Sequence, residues 1–386
     1  MTKKKEPAHA LLSASRGRWL SCTPSAVLES KQPDDSNPSS EEGTLAHNLG
    51  EIKVQLEFKQ ITKAMYNKKE TELRKNEYFS DEMIEICDAY TRYVRETFDA
   101  MEKEYGSAYI QTETRLDYSH IAKDGFGTGD VIICSPGAIH VIDLKYGIRI
   151  YVSPVDNTQL KLYGIGALKA FDIIYEPDIV TMTVYQPRMN NIGAYYVTSG
   201  SLRAWGDSIK ARADLAYEGK GEFAPNMDNC RFCKVNGKCR ALKEHNKKML
   251  DYLDLPFMSD TETKELLDNR ELINKQISEL EKEVFNRIYN NCEKFDGYKV
   301  VQSAGRRYYK DTEKIKEALI NAGYEEAIIM KAPDLVNLTE MGKLLNKKEF
   351  DELIGEFIKK KEGNPSLVKA AAKGDPITVL GDFKDV

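Results

Sequence analysis

The 386-residue chain has no apolar run approaching the roughly 20 residues that a membrane-spanning helix needs, which excludes a helical membrane protein. It has no recognisable export signal either. The start, Met1-Thr2-Lys3-Lys4-Lys5-Glu6-Pro7, is basic, but the apolar patch that follows it, Ala8 to Leu12, is too short for a signal peptide. Nor is there an excess of positive charge: a net charge of −5 excludes a coat that wraps nucleic acid by bulk charge, so any DNA contact has to be local. No internal repeat is evident. What remains is ordinary for a globular protein, 41% hydrophobic and 30% charged, and long enough for two domains. The expectation is a cytoplasmic protein with no membrane partner, in a reducing compartment where cysteines serve as metal thiolates rather than disulfides.

Chemistry concentrates between positions 127 and 145. Two short apolar runs are joined by Pro136-Gly137; Asp130 opens the first, and Asp143 and Lys145 close the second. Side chains alternate along a strand, so Asp143 and Lys145 share one face while Leu144 points into the core. A turn at Ser135-Pro136-Gly137-Ala138 lays Asp130 beside them. Two carboxylates and one ammonium suit Mg²⁺ or Mn²⁺ and phosphodiester chemistry. Alone the triplet is weak, since acids often end strands and lysines often sit on edges. It gains weight from Glu42-Gly43-Thr44-Leu45-Ala46-His47 upstream, from Glu113, and from Gln159 and Tyr163, which are four apart and hence on one helix face.

In this order the elements resemble the RecB-like branch of the PD-(D/E)XK nuclease superfamily. Asp143 stands where that family often has glutamate, a chemically neutral change. The resemblance implies an α/β fold, a mixed central sheet flanked by helices. It also implies Asp130, Asp143, the Leu144 carbonyl and His47 as ligands of a divalent ion, with Glu113 holding a second ion or a ligand water. Lys145 would position or deprotonate the attacking water, and Gln159 and Tyr163 would hold the lysine and the substrate phosphate. Of seven cysteines, Cys230, Cys233 and Cys239 form a C-x2-C-x5-C cluster. With Cys22 far upstream, this spacing resembles the iron-sulfur staple of AddB and of the CRISPR adaptation exonucleases. There, four thiolates hold a 4Fe-4S cluster that clasps the ends of the nuclease domain. Zn²⁺ on the same thiolates is an alternative that spacing does not separate. Cys87 and Cys134, in apolar surroundings, read as buried free thiols.

Along the chain, positions 30 to 43 read as a loop and 81 to 104 as an amphipathic helix. Strands are expected at 107 to 114, 127 to 135, 138 to 145, 179 to 186 and 194 to 198, with helices at 156 to 171 and 202 to 217. Residues 1–250 would form the nuclease domain. After a linker at Leu255-Pro256, residues 251–386 read as an α-rich appendage: a long polar helix at 261 to 291, a β-hairpin at 297 to 309, and helices at 312 to 322 and 338 to 361. Arg16 and Arg18, near the first cluster cysteine, and Lys68, Lys69 and Arg74 are local candidates for DNA contact. Arg306, Arg307, Tyr308 and Tyr309 mix guanidinium with aromatic faces, as single-strand grooves do, and equally fit a solvated hairpin tip.

The whole chain resembles a family of RecB-like proteins encoded by bacteriophages and prophages. His9-Ala10-Leu11-Leu12-Ser13-Ala14-Ser15, Arg18-Trp19-Leu20-Ser21-Cys22-Thr23-Pro24-Ser25-Ala26, Glu42 to His47 and Gly297-Tyr298-Lys299 carry that likeness. It implies a metal-dependent DNA nuclease of phage replication or recombination in a bacterial host cell, with single-stranded DNA and an exonuclease favoured. The other class of function open to the sequence is a catalytically silent DNA-binding or recruitment protein that keeps the fold.

Overall fold

The computed structural model describes residues 10–33, 38–148, 150–251, 257–303, 307–331, 334–336, 338, 341, 344–345, 347–360, 363–370, 372–379 and 381–382. It divides into two compact units, Met1–Ile273 and Asn274–Val386. Among the described residues no helix is long and apolar enough to cross a membrane.

The first unit opens with a 3-10 stretch, Ala14–Leu20, and the short α1 (Ser25–Ser30). Three longer helices follow: α2 (Pro38–Glu57), α3 (Lys63–Leu73) and α4 (Asp81–Tyr105). The loop expected up to residue 43 ends earlier, because Pro38 opens α2 and its fixed φ suits a first helical turn. Ser80 caps α4 by accepting from the Met83 N–H, and Gly106 closes it in the left-handed conformation.

Strands β1 (Tyr109–Asp117), β2 (Phe126–Ser135) and β3 (Ala138–Leu144) then form an antiparallel meander. The β2–β3 turn has Pro136 followed by Gly137 at φ +83°, the pairing that a type II turn asks for. Helix α5 (Thr158–Tyr175), capped by Asn157, crosses to β4 (Ile179–Gln186), which pairs parallel to β3. Strand β5 (Asn191–Thr198) returns antiparallel and leads into α6 (Ser199–Tyr217). The result is a five-stranded mixed sheet in the order β1-β2-β3-β4-β5, an α/β unit with helices on both faces.

Strand alternation sorts the core. Ile132, Ile139, Val141, Val180 and Met182 face α5, α6 and the N-terminal 3-10 stretch, whereas Val131, Ile133, Ile142, Leu144 and Tyr185 face α4 and Val54 of α2. Gly166 lets α5 settle on the sheet: a Cβ there would lie 2.9 Å from the Leu116 carbonyl carbon. The unit continues through α7 (Met227–Cys230) and α8 (Arg240–Leu250) into α9 (Asp260–Tyr289). The division between units falls inside α9, later than the composition change near residue 250, because Leu272 is buried with Cys230 and Leu242. The Leu255-Pro256 linker lies outside the described residues.

The second unit adds short strands to its helices. Tyr298–Gln302 pairs with Pro365–Lys369 and Arg307–Tyr309 with Ile358–Lys360, so residues 297 to 309 are not a hairpin. Each strand takes a partner 49 to 71 positions later, which no local turn signal announces. The helix expected to run to Lys361 ends at Ile354, and the chain then joins that pairing at Ile358–Lys360. A helix at Thr312–Asn321, capped by Asp311, packs Ile315 and Leu319 against Phe350 and Ile354.

Candidate functional site

Glu113, Asp130 and Asp143 lie level with one another across β1, β2 and β3, at the point where both ladders break. The β1–β2 register runs through Thr112↔Val131, omits Glu113 and Asp130, and resumes at Thr114↔Gly129. The β2–β3 register stops at Val131↔Ile142, one step short of placing Asp130 opposite Asp143. Like charges directly across a ladder repel, so these strands give up their pairing where the carboxylates meet. Glu113 carries the local strain, with φ at +46° in the left-handed region that a residue with a Cβ seldom adopts.

The broken ladders free backbone donors and acceptors for other work. Asp130 Oδ2 accepts from the Leu144 N–H at 2.7 Å, and its Oδ1 lies 3.2 Å from His47 Nδ1 on α2. His47, Glu113 and Asp130 each offer an atom within 4.8 Å of the others, a constellation able to hold a metal ion. On the neighbouring strand Lys145 Nζ pairs with Asp143 Oδ2 at 2.8 Å and donates to Gln159 Oε1 at 3.2 Å. Gln159 Nε2 in turn faces Asp143 Oδ1 at 3.3 Å and donates to Tyr163 Oη at 2.9 Å. Gly127 makes room for that tyrosine, since a Cβ there would meet its ring at 2.6 Å. The eight residues singled out from the sequence between His47 and Tyr163, Leu144 included, thus share one site.

The protonation states follow from burial and charge. Burial raises the Asp143 carboxyl and Asp130 adds to this, outweighing Lys145. Burial also pushes Asp130 up, but His47, Lys145 and the Leu144 N–H bring it below its ordinary value. For His47 and Lys145 burial favours the neutral form, and the facing carboxylates reverse the balance and raise both. Facing Asp143 and Asp130, Lys145 is favoured as an ammonium in the metal-free site. Burial, then Asp130 and Glu51, lift Glu113 to about 7.

Tyr90 of α4 escaped the sequence reading. It is 2% exposed, its ring lies against Gly50 and 5.2 Å from that of Tyr185, and its hydroxyl has no hydrogen-bond partner among the described residues. Burial, then Asp130, Asp143 and Glu113, raise its phenol well above the ordinary value, leaving a neutral donor beside the carboxylates. Its place in the apolar stripe of α4 made it indistinguishable from a core residue.

Four of the seven cysteines gather at a second place in the fold. Cys22, Cys230, Cys233 and Cys239 line one small pocket with Leu28, Phe223 and Val235. The segments that carry them are tied together. The Ser21 hydroxyl donates to Asn229 Oδ1 at 2.7 Å across 208 positions, and the Lys234 N–H donates to Glu29 Oε1 at 3.0 Å. Glu29, itself buried, also holds Arg18. Asn236 donates from its side chain to the Cys230 carbonyl at 3.0 Å. Burial raises the Cys22 and Cys230 thiols, with neighbouring cysteines adding to the effect, and lifts Cys233 to about 12. Cys87 and Cys134 are buried elsewhere, as expected.

The basic and aromatic patch has a different standing. Arg306 and the side chains of Arg307 and Tyr308 lie outside the described residues. Tyr309 packs against the core of the second unit and donates its hydroxyl to the Val336 carbonyl at 2.8 Å, so its ring is committed to packing rather than offered to a base.

Residues 9–375 match the family model described as Protein of unknown function (DUF2800). The chain belongs to the DUF2800 family. The match runs through the carboxylate site, the four cysteines and most of the second unit of this DUF2800 protein. A solved structure described as "Crystal structure of SSO0001" is similar at 12% identity, covering 58% of this chain and 95% of its own, with a TM-score of 0.23.

Proposed function

We propose that this DUF2800 protein is a divalent-metal-dependent deoxyribonuclease with a PD-(D/E)XK core of the RecB-like type, acting on single-stranded DNA from its ends in phage replication or recombination. The observation that carries the reading is the convergence of Glu113, Asp130 and Asp143 at the break in two ladders, with Lys145 held against Asp143 and Gln159. Hard oxygen donors with one imidazole fit Mg²⁺ or Mn²⁺. His47, Asp130, Asp143 and the Leu144 carbonyl would hold the ion, with Glu113 at its side. When bound, it supplies a Lewis acid for the phosphoryl oxygen and a more acidic water.

The chain's own groups supply the rest. The Lys145 ammonium, pinned by Asp143 and Gln159, faces the charge that grows on the phosphate oxygens as water adds to phosphorus and the ester oxygen leaves. Gln159 and Tyr163 fix that ammonium, so little reorganisation accompanies the reaction. Four thiols around one pocket, drawn from segments distant in sequence, suit a 4Fe-4S cluster; zinc is the competing occupant. A cation there would keep the sulfurs as thiolates, against the burial that raises them. The test is cleavage of end-labelled linear and covalently closed circular single strands in Mg²⁺ or Mn²⁺. Digestion of the linear form alone supports the reading, equal cleavage of both makes the enzyme an endonuclease, and cleavage of neither overturns the nuclease assignment.

A further inference from the structure

The central sheet has two edges, and they are built differently. At one, β1 carries Glu113, Arg115 and Asp117 and breaks its ladder at the left-handed Glu113, the kind of charge and irregularity that keeps an edge from pairing further. The other edge is β5, eight residues with no charge and no proline, in unbroken register with β4. Its backbone direction follows from its neighbours. The Ser199 N–H donates to the Asp178 carbonyl at 2.8 Å, one step beyond the Ile179↔Thr198 pair, and bonded pairs alternate along an antiparallel ladder. Asn191, Gly193, Tyr195 and Val197 therefore turn their N–H and C=O groups toward β4, while Ile192, Ala194 and Tyr196 turn theirs outward. Among the described residues no hydrogen bond reaches the outward groups of these three residues. Their side chains also form one row: Ile192 is 51% exposed, Tyr196 72%, and Ala194 is exposed between them, whereas Tyr195 and Val197 on the other face pack against the core.

An open row of backbone donors and acceptors calls for a strand, and this strand fits itself. We propose that β5 pairs antiparallel with β5 of a second copy about a two-fold axis at Ala194, joining two five-stranded sheets into one continuous sheet. Ala194 then faces its own counterpart, and Ile192 faces Tyr196 of the partner subunit. Each facing pair exchanges two N–H···O=C bonds, and each isoleucine lies against a tyrosine across the ladder. The row Ile, Ala, Tyr reads Tyr, Ala, Ile on the returning strand, so the smallest side chain sits at the axis and the bulk flanks it evenly. The lack of charge matters for the same reason. A two-fold contact sets each residue against itself or its near neighbours, so a charge in the strand would meet its like. One strand edge is a small interface, which makes the dimer dependent on concentration rather than permanent. The pairing does not rest on the nuclease reading.

The test is sedimentation of the full chain over a wide range of concentration, in which the parent passes from one chain to two as concentration rises. Ala194→Pro deletes the axial N–H on both copies, at a position where an edge strand accepts proline, and weakens association at least about tenfold. Ala194→Lys, at an exposed site that the fold does not depend on, sets two ammonium groups against each other and also weakens it. Cross-linking reads the register. Ala194→Cys gives a reducible dimer with oxidised glutathione, because the Cα atoms of a bonded pair lie about 5.5 Å apart, within disulfide reach. Thr198→Cys lies about 27 Å from its counterpart in that register, eight strand positions at about 3.4 Å, and gives none, as does the parent with its native cysteines. A parent that stays monomeric at every concentration overturns self-pairing and leaves the edge to a strand of another protein. A dimer that neither Ala194→Pro nor Ala194→Lys weakens overturns β5 as the contact, and equal cross-linking at Thr198 overturns the axis at Ala194.

Discussion

Replacing Tyr90 with phenylalanine has opposite expected effects on stability and on activity. The ring is 2% exposed and packs on Gly50 and Tyr185, contacts that phenylalanine keeps. The hydroxyl has no partner among the described residues, and a buried hydroxyl without one costs about 1–3 kcal/mol. Removing it should stabilise the protein in chelator by about 1 kcal/mol, a Tm rise of roughly 2–4 °C for a unit of this size. If the site is loaded as proposed, the same hydroxyl would donate toward water or phosphate bound at Asp130, Asp143 and Glu113. Losing a bond to a charged partner, worth about 1.5–3 kcal/mol, should then cut kcat/KM roughly 10- to 100-fold. Calorimetry with chelator and single-strand cleavage with Mn²⁺ measure the two effects on one preparation. A lowered Tm in chelator would show that the hydroxyl is already satisfied, and wild-type cleavage would show that it serves nothing in the reaction; either refutes the argument.

Further outcomes are expected elsewhere in the first unit. Asp130→Asn, Asp143→Asn or Lys145→Ala should reduce cleavage by at least about 10²–10³ while leaving the cysteine site intact; wild-type turnover of Asp143→Asn in Mg²⁺ would show that the site is misassigned. Protein purified anaerobically should be brown, absorbing near 400 nm with about four irons per chain, and Cys22→Ser should lose the colour and melt at lower temperature. Colourless protein with stoichiometric zinc would replace the cluster by Zn²⁺. Glu113 sets a pH dependence. Its folded pKa, about 7, lies above its ordinary value of 4.5, so in chelator its contribution to stability is fully present below pH 4.5 and is lost as the pH rises through about 7. Stabilisation by Mn²⁺ should grow over the same window, because a ligand carboxylate must be ionised. Glu113→Gln should flatten both trends in thermal melts from pH 5 to 8.

Local pattern was enough for α4, α5, α6 and the five strands of the first unit, and it singled out most of the residues of the carboxylate site. Alternation around Pro136-Gly137 specifies β2 and β3 with Asp130, Asp143 and Lys145 at their ends, and the four-residue spacing of Gln159 and Tyr163 puts both on one face of α5. These are short-range facts, set by the two-residue period of a strand and the 3.6-residue period of a helix. The cysteine spacing belongs to the same class, although Cys22 joins the other three only through the chain's long-range closure at Ser21–Asn229 and Glu29–Lys234.

Tertiary structure alone decided the rest. Only the register of three strands reveals that Glu113, Asp130 and Asp143 lie level at the break in both ladders, with the left-handed Glu113 backbone bearing the strain. Tyr90 looks like any core residue of an amphipathic helix until the carboxylates facing its hydroxyl are known. The protonation of Lys145 depends in the same way on partners from other elements. In the second unit the pairings of Tyr298–Gln302 with Pro365–Lys369 and of Arg307–Tyr309 with Ile358–Lys360 join segments far apart in sequence. Such pairings are chosen by the packing of the whole unit, and no window of neighbouring residues contains that information.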